Sequence, residues 1–100
     1  MTGEQVIDLG HGHTLTLCRW PDIVVPAGGE PFHAADVDHP TPDGRPCSGH
    51  VTLDVPAMRE MWPDVPRWTV ESWEPLTLSP SLLCWCGDHG FVREGRWVPA

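Results

Sequence analysis

The sequence predicts a mainly β domain, a small α+β fold of short antiparallel strands and hairpins with one short helix, stapled by a zinc site. Three observations carry that expectation. Twelve prolines and ten glycines in 100 residues break long helices and favour short strands joined by turns. Apolar and polar residues alternate over several short runs, which is the period of a half-buried strand. Four cysteines and six histidines include two Cys-x-x-His spacings, in a chain whose small core gains from a staple. The length is that of a single domain, residues 1–100. Within it, 26–46 reads as a long loop and 47–98 as the half that the zinc would hold.

The elements follow in chain order. Val6-Ile7-Asp8-Leu9 is a short first strand, Gly10-His11-Gly12-His13 a turn, and Thr14 to Trp20 a second strand. In that second strand Leu15 and Leu17 share one face, with Thr14, Thr16 and Cys18 on the other. Pro21-Asp22 breaks it, and Ile23-Val24-Val25 before Pro26 reads as a brief buried or edge strand. From Pro26 to Pro46 prolines, glycines and aspartates dominate, with Phe32 the one large apolar side chain. Cys47 to Val55 passes from a turn into a strand with Val51, Leu53 and Val55 on one face. Pro56 suits the first turn of a helix through Trp62, which Pro63 ends. Arg67 to Trp73 is a further strand. Leu76-Thr77-Leu78, the Ser79-Pro80-Ser81 bend, Leu82 to Cys86 and a hairpin from Phe91 to Val98 complete the chain, and Glu94-Gly95 suits a two-residue hairpin turn. Six tryptophans supply large rings for a core of modest size.

Fourteen carboxylates against six arginines give a net charge of -8. That balance argues against nucleic acid, whose phosphates require a basic face, and against anionic membrane surfaces. No stretch approaches a membrane span. The start MTGEQVIDLGHGH has neither the basic region nor the apolar run of a signal peptide. The expected location is therefore the cytoplasm, where clustered cysteines are more often metal ligands than disulfides.

Cys47-Ser-Gly-His50 and Cys86-Gly-Asp-His89 can each present a thiolate and an imidazole to one ion, with a glycine inside each turn. Tetrahedral zinc often draws two ligands from each of two chain segments. The spacing thus points to Cys47, His50, Cys86 and His89, with Cys84 as the alternative ligand and Asp88 as a group that orients a ligand histidine. Cys18 reads as core packing, His11 and His13 as a solvated turn, and His33 and His39 as surface groups of the long loop.

Pro46-Cys47-Ser48-Gly49-His50, Leu78-Ser79-Pro80-Ser81, Cys86-Gly87-Asp88-His89-Gly90-Phe91 and Gly95-Arg96-Trp97 resemble a small family of uncharacterised proteins of actinobacteria, their phages and other bacteria. The resemblance spans roughly residues 46 to 98. It implies a zinc-binding β domain with ligands at Cys47, Cys86 and His89, His50 or Cys84 being the fourth. This chain departs from the family pattern in having one cysteine, rather than two or three, in the first turn. No activity comes with the likeness.

Two functions of different class fit this reading. The favoured one is a non-enzymatic, zinc-stabilised protein-interaction module, cytoplasmic (in the host if phage-encoded), with a protein partner that the sequence does not identify. Four protein ligands close the coordination sphere of zinc, and closed sites are structural. Trp62, Trp85 and Trp97 are candidate anchors, although each reads first as a core residue. The alternative is a metal-dependent hydrolase with an open zinc position and Asp88 or Glu94 as base. The sequence weighs against an enzyme: it has no His-Glu-x-x-His, no zinc-deaminase pattern, no phosphate loop, and no nucleophile elbow around Ser79 or Ser81. Oligomeric state leaves no signature in it.

Overall fold

A computed structural model describes residues 3–19 and 31–100. The architecture is mainly β, as the punctuation by proline and glycine predicts. Three small antiparallel sheets and one short helix make up its regular structure among the described residues.

The first sheet has the order β1-β2-β3-β4, built from β1 (Gly3–Gly10), β2 (His13–Arg19), β3 (Ala34–Pro40) and β4 (Pro46–Thr52). The β1–β2 hairpin turns at Gly10, His11 and Gly12, all with positive φ. Side chains one residue apart in a strand point to opposite faces, and the register makes that parity visible across the sheet. Leu15 pairs with Val37, Val37 with Gly49, Leu17 with Ala35, and Ala35 with Val51. These form one inward face, and Leu15, Leu17, Ala35, Val37 and Val51 are all buried. Cys18 lies on the other face, half-buried, where burial and the nearby Asp36 and Glu4 carboxylates push its thiol up. The core-packing role expected of Cys18 is thus not what it does.

Residues 34–40 correct the reading of 26–46 as one long loop. They form β3, in the middle of the sheet. Two aspartates and a terminal proline obscured the strand, since Asp36 and Asp38 occupy only its outer face while Ala35, Val37 and His39 alternate inward. The short strand expected at 23–25 lies outside the described residues.

Beyond β4 the chain is tied by a parallel bridge between Leu53 and Trp68. Helix α1 (Pro56–Met61) begins at proline, as expected of a helix first turn, and buries Ala57 and Met58. Arg67 then gathers the following loop, donating to the carbonyls of Trp62, Pro63 and Val65 and to Asp54. Strands β5 (Thr69–Trp73) and β6 (Leu76–Ser79) make the second sheet. A bulge between Val70 and Ser72 disturbs the simple alternation of that run.

The third sheet comprises β7 (Leu82–Leu83), β8 (His89–Arg93) and β9 (Arg96–Pro99). Its β8–β9 hairpin turns at Glu94-Gly95, both with positive φ, matching the two-residue turn expected there. Strand β9 packs against β1, and β6 against β8. One apolar cluster joins all three sheets through Leu15, Leu53, Leu76, Leu78, Leu82 and Val92. No helix among the described residues is long and apolar enough to cross a membrane.

Candidate functional site: a thiol–imidazole cluster beside a serine–histidine pair

The inward face of the first sheet ends in a row of three chemically active side chains. His13 on β2, His39 on β3 and Cys47 on β4 are all buried, and His39 pairs with Cys47 in register. The turn between β7 and β8 closes over this row. It is held by the Cys84 N–H donating to Asp88 O at 2.8 Å and the Gly87 N–H donating to Cys84 O at 2.9 Å, with Gly87 at φ 97°. That turn aims the thiols of both Cys84 and Cys86 at the sheet.

The result is a cluster of His39, Cys47, Cys84 and Cys86 whose ligand atoms all lie within 4.8 Å of one another. Cys47 Sγ is 3.6 Å from Cys84 Sγ, and Cys86 Sγ is 4.0 Å from His39 Nε2. A tetrahedral ion with thiolate bonds near 2.3 Å and an imidazole bond near 2.0 Å separates its ligand atoms by roughly 3.5–3.8 Å. The cluster therefore fits a metal ion with small adjustment, and three thiols plus one imidazole suit a borderline-soft divalent cation. Burial and the hydrogen bonds shared with Cys84 and Cys86 push the Cys47 thiol up to about 12. Cys86 is drawn the other way, chiefly by a hydrogen bond from the Asp88 backbone N–H.

A second group shares His39. The His13 ring is sandwiched between Trp97, centroids 4.1 Å apart, and His39, at 5.1 Å. His13 Nδ1 donates to the His11 carbonyl at 2.8 Å, and its Nε2 lies 2.6 Å from Asp88 Oδ2. Both ring nitrogens of His13 are thus engaged. The same Asp88 oxygen is 3.7 Å from His39 Nδ1.

The spacing-based set is brought together only in part. Cys47 and Cys86 are in the cluster, and so is the alternative Cys84. His50 is not: β4 runs straight through Cys47 and His50, so an odd separation of three puts them on opposite faces. His50 instead faces Asp36 on the outer face, Nδ1 to Oδ1 2.9 Å. His89 likewise points outward from β8, between the inward Gly90 and the cluster turn. The surface role expected of His33 and His39 gives way to burial of both, at 0% and 5% exposure. His13 is buried too, rather than lying in a solvated turn, while His11 is exposed.

His89 has another partner. Its Nε2 lies 2.8 Å from Ser81 Oγ, so the hydroxyl donates to the ring when Nδ1 carries the ring proton. Ser81 precedes β7 and His89 opens β8, and the β7–β8 pairing folds them together on the outer face. Ser81 O also accepts from Trp68 Nε1 at 3.2 Å. Eight residues separate the two, with no elbow motif, so spacing alone concealed the pair; the hairpin register was the signal available. A small, mostly apolar pocket lined by His50, Val51, Trp68, Leu82, Leu83 and Cys84 among others lies nearby, and neither Ser81 nor His89 lines it.

Fold and site together define a small β domain with a thiol–imidazole cluster under one turn and a serine–histidine pair at the turn's outer end. The family model described as "Bacterial ubiquitination-like system serine protease (BubE)" matches residues 45–100, and the chain belongs to that family. The matched span contains Cys47, Ser81, Cys84, Cys86, Asp88 and His89, but neither His13 nor His39. Comparison with curated proteins and with solved structures gives no match.

Proposed function

We propose that this protein is a serine-type peptide hydrolase of a bacterial ubiquitination-like system, with Ser81 as nucleophile and His89 as general base. The Ser81 Oγ to His89 Nε2 contact of 2.8 Å carries the reading, because a serine hydroxyl is a weak nucleophile until an adjacent base takes its proton. Membership of a family described as serine proteases supports it. Ser81 Oγ attacks the scissile carbonyl carbon as its proton passes to His89 Nε2. His89 then protonates the leaving amine as the C–N bond breaks, and Ser81 holds the acyl group as an ester. A water gives a proton to His89 and its oxygen to the acyl carbon. The carboxylate leaves, and the proton returns to Ser81.

In this reading zinc in the His39, Cys47, Cys84 and Cys86 cluster is structural, because four protein ligands leave no position for water. The reading replaces the non-enzymatic module that the sequence favoured, and its metal-dependent hydrolase alternative, with a serine mechanism, and a cytoplasmic setting would keep the thiols reduced.

A fluorophosphonate probe tests it. Mass spectrometry should place the adduct on Ser81, with no adduct in Ser81→Ala and labelling slowed by at least about 100-fold in His89→Ala. Equal labelling of the parent and Ser81→Ala would overturn it. A second reading, a protein-interaction module, is favoured by Leu83 and Trp85, 69% and 82% exposed. Labelling-inactive protein that still captures a partner through Trp85, and loses it in Trp85→Ala, would support that reading instead.

A further inference from the structure

We propose that His13 and Asp88 are positioning residues for a metal ion whose fourth ligand is His39 Nε2, so that strands outside the family-matched span complete the site. The proposal rests on the reading of the thiol–imidazole cluster as a metal centre. Three observations carry it.

The first is the direction of the His39 ring. Its Nδ1 donates to the Pro40 carbonyl at 3.1 Å and faces Asp88 Oδ2 at 3.7 Å. With the proton held on Nδ1, the Nε2 lone pair is the one presented to the three sulfurs. A ligand histidine whose other nitrogen is held by a carbonyl or carboxylate has its tautomer and orientation fixed before the ion arrives.

The second is that Asp88 is itself held. Its Oδ2 is 2.6 Å from His13 Nε2, and the opposite nitrogen of His13 is anchored on the His11 carbonyl at 2.8 Å. A backbone carbonyl thus holds His13 and His13 holds Asp88, whose Oδ2 lies 3.7 Å from His39 Nδ1, within electrostatic reach but beyond a hydrogen bond.

The third is confinement. His13 is 6% exposed and lies parallel between the His39 ring and the Trp97 indole. A buried imidazole with both nitrogens occupied and both faces covered has one rotamer available to it. Asp88 also belongs to the turn that carries Cys84 and Cys86. The same carboxylate thus couples the orientation of the β3 ligand to the turn that supplies two of the sulfurs.

Cobalt substitution of the whole chain tests the idea. Parent protein with Co2+ should show thiolate-to-cobalt charge transfer for three sulfurs and the strong visible bands of tetrahedral coordination. Asp88→Asn and His13→Leu should bind Co2+ about 10- to 100-fold more weakly, with the charge-transfer intensity per bound ion unchanged. His13→Gln, whose amide can still donate to Asp88, should recover part of that loss. His39→Gln should instead alter the visible bands, since it removes a ligand. Asp88 is 28% exposed and Asn preserves its side-chain volume, so Asp88→Asn keeps the test valid should His13→Leu fail to fold. Co2+ affinity within twofold of the parent in both Asp88→Asn and His13→Gln would overturn the positioning role. Failure of the parent to bind Co2+ tetrahedrally would overturn the metal reading beneath it.

Discussion

At the scale of single residues, strand parity decides which groups can meet. Cys47 and His39 face each other on the inner side of adjacent strands, whereas His50, three residues from Cys47, is carried to the outside. Gly90 shows the same precision in packing. A Cβ there would lie 2.5 Å from the Trp97 ring and 2.8 Å from the Val98 carbonyl, so the indole seats directly on the glycine. That indole is the platform for His13. Gly90→Ala should therefore displace Trp97 and cost roughly 1–3 kcal/mol, the usual penalty for overpacking a core. Thermal denaturation measures the loss, and a melting temperature equal to the parent's would contradict the close approach.

At the scale of elements, the link between α1 and β5 depends on one carboxylate. Asp54 Oδ1 accepts from Arg59 Nε at 2.6 Å and from Arg67 Nε at 3.1 Å. The Arg59 hydrogen bond, joined by that of Arg67, holds its carboxyl below the usual carboxylate range despite partial burial. A carboxyl depressed in the folded state stabilises the fold above its unfolded value, near pH 4, and loses that contribution as pH falls through the folded value. Asp54→Asn should thus be less stable than the parent at pH 7 by about 1 kcal/mol. The gap should close as pH falls below about 4. Denaturant titrations at pH 7 and pH 2.5 check this, and a gap that persists undiminished in acid would show that the pairing contributes through shape rather than charge.

At the scale of the whole molecule, the thiol–imidazole cluster joins the first sheet to the third. Cys47 and His39 come from one, and Cys84 and Cys86 from the turn that precedes β8 in the other. An ion bound to the folded state alone stabilises it by mass action, about 4 kcal/mol at a thousandfold excess over its dissociation constant. Strong chelation should lower the melting temperature by on the order of 10 °C or more in a domain of this size, and zinc should restore it. A melting curve indifferent to chelator would argue that the cluster binds no ion in solution.

Much of this fold was legible in the sequence because its signals are local. The inward leucines of β2, the Pro56 start of α1 and the Glu94-Gly95 turn each follow from the preferences of a few adjacent residues. Cys47 and Cys86 were legible as ligands from their Cys-x-x-His spacing, and Cys84 only as an alternative to them. What the tertiary structure decided is register and pairing. Which histidine faces the sulfurs depends on β3 lying beside β4, and that pairing is set by side chains from three strands at once. Ser81 meets His89 only because the β7–β8 pairing brings the residue just before β7 to the outward first residue of β8. A linear pattern records residue types and their separations along the chain. The face on which each one emerges is settled by the strand that happens to lie next to it.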